Sequence, residues 1–270
     1  MHPARLVPSA LLLALLGSGC GDATSPDLDN GDGAKPVQGR AALGPFDIAA
    51  GEEKTVCIVK RLDNPQDLVA TAFTVDLAPV SHHLIVYRSS ATEEQLTPTP
   101  CRPFEQVVTG AEVPLFIATS AHVEYRLPEG VGLQLGKQQM IKIEAHYLNP
   151  GATMAQGSAQ IAVQGKPAAP ADSYAAADVA IWGTARINVP PQKTAQTPVI
   201  FQAGLKGTQT FAMTTHEHRL GTRAQVWASA KAGDTSRQIA DDRDWANPVL
   251  TQFAQPFAFD GSSGLSLQCD

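Results

Sequence analysis

The feature that most constrains the fold is how often short apolar runs are interrupted by turn-forming residues. The chain of 270 residues contains 20 prolines and 22 glycines, and no long stretch has helical periodicity. Proline removes a backbone donor and glycine weakens regular elements, so such a chain forms short strands more readily than long helices. The pattern therefore predicts an all-β protein.

The apolar runs also alternate with polar residues, as half-buried strands do. Residues 139–147 place an apolar set on one face and a polar set, including Glu144 and His146, on the other. Turn signals at 127–130 and 149–151 bound this region. Further strand-like runs are 73–77, 159–163, 179–189, 199–203, 208–218, 223–228 and 265–269.

The length suits two domains of ordinary size. A Pro/Ala-rich stretch at 165–171 separates two sets of strands, which predicts tandem antiparallel, jelly-roll-like β-sandwich domains at 42–165 and 171–270. The polar, aperiodic residues 21–41 predict a flexible linker. A net charge of −6 provides no basic patch, so no nucleic-acid partner is expected.

The first twenty residues have the pattern of an export signal. Arg5 precedes an apolar run at 11–16 that is too short to span a bilayer, and small residues then lead to Cys20. The order resembles a bacterial lipobox, which implies lipidation of Cys20; a plain secretory peptide is the alternative. We expect an exported protein, secreted or lipid-anchored in the bacterial cell envelope, whose only membrane contact is that anchor.

The histidines are concentrated in strand-like sequence. His216 and His218 are two apart, so a strand directs both rings to one side, where they can chelate one ion. His82 and His83 are adjacent, and they can share an ion only if their strand start is bulged or strongly twisted, or if one ring ligates through Nδ1 and the other through Nε2. With His146 they would form a three-imidazole set that suits copper or zinc. We interpret His122 as a structural residue.

Three segments, SHHLIVY, IEAHYLNP and THEHRLG, resemble the copper sites of the copper type II, ascorbate-dependent monooxygenases, which include the peptidylglycine α-hydroxylating and dopamine β-hydroxylating enzymes. The resemblance covers about 42–270. It implies that His82, His83 and His146 bind an electron-transfer copper, whereas His216 and His218 bind a catalytic copper. It further implies hydroxylation of a small-molecule C–H bond with O2 and ascorbate or another reductant, with the two coppers facing each other across a solvated cleft.

The resemblance also implies a Cys57–Cys101 disulfide, and it marks two departures. Thr214 stands where the peptide-hydroxylating branch has arginine, and the third catalytic ligand, a methionine beside the partner of Cys269, would follow Asp270. We therefore expect an incomplete second domain and impaired turnover. An exported copper-binding protein without turnover is the alternative. A zinc hydrolase is disfavoured because neither an HExxH nor an HxHxDH-like pattern occurs.

Overall fold

The computed structural model describes residues 37–104, 112–168, 170, 173–184, 187–204, 206–246 and 248–270. These residues contain seventeen β-strands and no α-helix, which confirms the predicted all-β class. The predicted signal peptide with Cys20, and the predicted linker as far as residue 36, lie outside the described residues. Within the described ranges, no helix has the length and apolar character needed to cross a membrane.

The strands up to residue 176 form two sheets that share one core. The strands are β1 Val37–Ile48, β2 Glu53–Arg61, β3 Leu68–Leu77, β4 Ser81–Arg88, β5 Gln95–Pro100, β6 Val113–Ala118, β7 His122–Arg126, β8 Val131–Leu135, β9 Met140–Leu148, β10 Ala155–Pro167 and β11 Ala175–Ala176. The six-stranded sheet has the order β1-β10-β3-β8-β11, with β7 also paired to β3, and the five-stranded sheet has the order β5-β2-β9-β4-β6. Phe73 and Phe116, one from each sheet, stack with ring centroids 5.3 Å apart inside this core, as in a β-sandwich.

The remaining strands form a four-stranded and a two-stranded antiparallel sheet. These strands are β12 Ile200–Ala203, β13 Gln209–Met213, β14 Ala224–Ser229, β15 Gln238–Asp242, β16 Thr251–Ala258 and β17 Gly264–Cys269. The first sheet has the order β12-β17-β14-β15, and the second pairs β13 with β16. The division into domains at 42–165 and 171–270 remains a prediction, although β11 already pairs in parallel with β8 of the first set.

Two predicted boundaries and one predicted strand are wrong. The first strand begins at Val37, inside the predicted linker, because β1 pairs with β10 and Leu62 packs closely where Gly39 lacks a Cβ. The described residues of 179–189 form no strand, and Ile187 is 57% exposed, since this apolar run has no partner strand. The strand predicted at 208–218 ends at Met213, where its partner β16 begins.

Candidate metal centre

The first histidine pair opens β4, which lies beside β9 in the five-stranded sheet. The pairing shifts register between Ser81 and His83, so His82 is the extra residue of a bulge. The rings of His82 and His83 consequently lie on the same side of the sheet edge, with centroids 5.4 Å apart. His83 lies directly opposite His146, with ring centroids 5.1 Å apart. The predicted distortion of this strand start is confirmed.

The second pair lies in the segment without regular secondary structure that follows β13. The ring centroids of His216 and His218 are 5.0 Å apart, so their two-residue spacing brings the rings together as predicted. The Nε2 atom of His82 lies 3.1 Å from the carbonyl oxygen of Glu217. A carbonyl oxygen only accepts, so Nε2 of His82 carries the proton and Nδ1 is left as its metal-binding atom.

All five predicted ligands meet in one place, which we call the histidine cluster: His82, His83, His146, His216 and His218. The ring of His82 lies 5.0–5.4 Å from each of the other four. The resemblance implied two sites across a solvated cleft with His146 on a polar face. Instead, the rings form a single cluster, and His146 is 3% exposed because both faces of β9 are largely covered.

Three sets of residues in and beside the cluster bring their ligand atoms within 4.8 Å of one another. Any two of these sets have one histidine in common. Two ions bound at the same time must therefore share that histidine, or one of them has fewer protein ligands. The sets are His82–His83–His146, His82–His216–His218 and Glu53–His146–His218.

Several ring nitrogens of the cluster are buried without a hydrogen-bond partner. They are both nitrogens of His83, both nitrogens of His216 and Nδ1 of His146. A buried polar atom without a partner costs about 1–3 kcal/mol, and native proteins rarely leave several in one place. A bound metal ion would accept the lone pair of one nitrogen on each ring, while the other nitrogen carries a proton, so these side chains fit a metal that prefers imidazole ligands.

Burial favours the neutral form of four imidazoles of the cluster. Burial, reinforced by the neighbouring histidines, lowers the pKa of His82 to about 4 and that of His216 to about 3. The same causes hold the pKa of His83 well below its usual value, and burial is the main cause of the lowered pKa of His146. Neutral imidazole is the form that binds metal, so these four histidines need no deprotonation at pH 7.

No protein-family model matches the chain. No curated protein matches it either. Function is therefore inferred from the chemistry of the cluster and from the residues around it.

The predicted Cys57–Cys101 disulfide is present and positions an aromatic cover on the cluster. Three residues after Cys101, Phe104 has a φ of 57°, and its amide donates to the buried Glu144 carboxylate at 2.8 Å. The Phe104 ring centroid lies 5.1 Å from that of His83. No local sequence pattern indicates the role of Phe104, because its position depends on the pairing of Cys57 with Glu144 across β2 and β9.

Two further neighbours were missed. Oε1 of Glu53 lies 3.0 Å from Nε2 of His146, and the Trp245 ring centroid lies 5.3 Å from that of His82. Neither residue belongs to a recognisable motif, and the contacts arise from segments distant in sequence. His122 lies apart from all three sets and contacts Asp76 at 2.6 Å on the surface, in agreement with its structural interpretation.

A surface pocket adjoins the second histidine pair. Its volume is about 290 Å³, and Thr214 and Thr215, which precede His216, are part of its wall. Asp242, also in the wall, accepts a hydrogen bond from the Thr215 hydroxyl at 2.8 Å.

Cys269 is the free cysteine of the described residues. Burial and the neighbouring Glu217 raise the pKa of its thiol to about 11.

Proposed function

We propose that the histidine cluster is a copper centre and that the protein is a copper-dependent monooxygenase, which uses O2 and a reductant such as ascorbate to hydroxylate a C–H bond. The observation that carries the proposal is the convergence of five imidazoles, several with buried nitrogens that have no partner. Imidazole nitrogen suits copper, which binds such ligands most tightly among the divalent first-row ions.

The residues divide by role. His82, His83 and His146 would hold an electron-transfer copper, and His216 and His218 would hold the catalytic copper. When bound, copper would supply one-electron chemistry and activation of O2. The protein would keep the buried imidazoles neutral, orient His82 through the Glu217 carbonyl and shield the deepest rings from water with Phe104.

The pocket beside Thr214 and Thr215 is the candidate place for an organic substrate. It adjoins the chain segment that carries His216 and His218, and its wall combines threonine hydroxyls with apolar groups such as Val249 and Ile239. A small molecule with an apolar body and a polar group suits such a wall. The supporting observation is the adjacency along the chain of this pocket and the second pair.

A second candidate is an exported copper-binding protein without turnover. The deep burial of His83 and its cover by Phe104 favour this candidate, because a buried site retains an ion better than it admits a substrate. The two candidates differ in whether the bound copper consumes O2 in the presence of a reductant and a substrate.

The test is O2 uptake by copper-loaded protein, measured with ascorbate across a panel of benzylic and aliphatic C–H donors. A monooxygenase gives substrate-dependent uptake with one hydroxylated product per O2, and His216→Ala abolishes it. Copper retention with no substrate-dependent uptake supports the binding protein. A preparation that retains zinc and excludes copper contradicts both candidates.

A further inference from the structure

His146 presents its two ring nitrogens to different surroundings. Nδ1 is buried without a partner, beside His82 and His83. Nε2 lies 3.0 Å from a carboxylate oxygen of Glu53, the first residue of β2, whose side chain is 50% exposed. One end of the ring therefore belongs to the buried part of the cluster and the other end faces the surface.

His218 lies at the same surface end. The His218 residue is exposed, and its ring centroid is 5.4 Å from that of His146. Its ligand atom lies within 4.8 Å of those of Glu53 and His146. Two ligands about 2.0–2.2 Å from one tetrahedral ion are separated by about 3.4 Å. The observed 3.0 Å between Oε1 of Glu53 and Nε2 of His146 is a hydrogen-bond distance that must lengthen slightly when an ion replaces the proton between them.

We propose that Glu53, His146 and His218 form a second, solvent-facing metal site, which takes a divalent ion such as Zn²⁺ and keeps a position open to water. Two imidazoles and one carboxylate are the ligands of several zinc sites with an open position. The hard carboxylate favours a divalent ion over Cu(I). His146 then binds the buried ion through Nδ1 and the outer ion through Nε2, and the Nε2 proton is released to solvent. The inference rests on the proposed function in assigning the buried ion as copper, and it makes the outer ion and the catalytic copper alternative occupants, because both would use His218.

The experiment is a calorimetric titration of Zn²⁺ into protein preloaded with one equivalent of Cu(II). Wild type is expected to bind one Zn²⁺ without losing copper. Glu53→Gln should weaken zinc binding at least about tenfold, since it removes a charged ligand without changing side-chain size. Glu53→His, which restores a metal-binding atom, should recover zinc binding. Glu124→Gln is the matched control, because Glu124 pairs with Arg126 on the surface of a different sheet.

Equal zinc affinity in wild type and Glu53→Gln would overturn the inference, and so would a loss of affinity of the same size in Glu124→Gln. These outcomes leave the proposed function untouched if copper is retained. Conversely, zinc binding that depends on Glu53 in a protein that retains no copper would support the outer site and contradict the proposed copper centre. Circular dichroism of each variant confirms that the strands are intact.

Discussion

At the scale of the residue, His83 is the best indicator of what the cluster is for. It is fully buried, both of its nitrogens lack a partner, and burial holds its pKa well below the usual value. A histidine in this state adds less to stability than an apolar side chain of similar size, because its polar atoms are desolvated without compensation. Its contribution is expected to lie in binding an ion.

Replacing His83 by alanine separates these contributions. We expect His83→Ala to lower copper affinity at least about tenfold. The metal-free stability should stay within about 1 kcal/mol of wild type, because the lost packing is offset by removal of an unsatisfied polar group. The adjacent Leu84→Ala is the control and should cost about 2–5 kcal/mol as an ordinary core truncation. Copper titrations and urea unfolding measure both effects; equal destabilisation with unchanged affinity would indicate a structural residue.

The lowered histidine pKa values predict how metal-free stability changes with pH. The pKa of His82 falls from 6.5 to about 4 on folding, and that of His216 falls to about 3. Between these values the unfolded chain binds more protons than the folded chain, so stability is greatest above pH 6.5 and decreases as the pH falls towards 4. Urea unfolding from pH 8 to 5 with a chelator should show this decrease, and His216→Ala should make it shallower. A flat profile would contradict the buried neutral cluster.

At the scale of the element, local patterns predicted strands well where both pairing and burial agree with the alternation. The runs at 139–147 and 223–228 became β9 and β14 with nearly the expected bounds. The run at 179–189 failed because alternation does not reveal whether a partner strand exists. The bulge at His82 is one of the arrangements that two adjacent ligands on one ion predict, whereas the contacts of Glu53 and Phe104 depend on strand pairing that no local pattern encodes.

The disulfide offers a test at this scale. Cys57 and Cys101 are 44 positions apart, and the chain-entropy model assigns such a loop about 4 kcal/mol of stabilisation. The Cys57→Ser, Cys101→Ser double variant should lose up to that amount in urea unfolding. It should also release copper faster to a chelator, because the turn carrying Phe104 is no longer tied to β2. Unchanged copper release with lowered stability would show that the cover does not protect the cluster.

At the scale of the whole molecule, the centre joins parts of the chain that lie far apart in sequence. Its residues come from the start of β2, from β4 and β9, and from the segment after β13. An ion that binds this arrangement but not the unfolded chain stabilises the whole fold by mass action, by about 2.7 kcal/mol when its free concentration is a hundred times its Kd. Metal binding and global unfolding are therefore expected to be linked.

This linkage gives a prediction that covers both histidine segments. Cu(II) should raise the unfolding midpoint of wild type in a concentration-dependent way. The increase should be smaller in His146→Ala and in His218→Ala, because each change removes a residue shared by two ligand sets. His122→Ala should respond like wild type, since His122 lies outside all three sets. A stabilisation that His122→Ala loses and His146→Ala keeps would place the bound ion elsewhere.

The most direct test of the central claim, that the cluster is a copper centre, is copper content combined with electron paramagnetic resonance. Protein purified without metal receives one equivalent of Cu(II), is freed of loosely bound ions by dialysis and is then measured beside His83→Ala. We expect one tightly held copper per chain with nitrogen hyperfine structure from several imidazoles, and weaker retention with an altered nitrogen pattern in His83→Ala. Copper that dialyses away from wild type, or unchanged retention and an unchanged nitrogen signal in folded His83→Ala, would contradict the assignment.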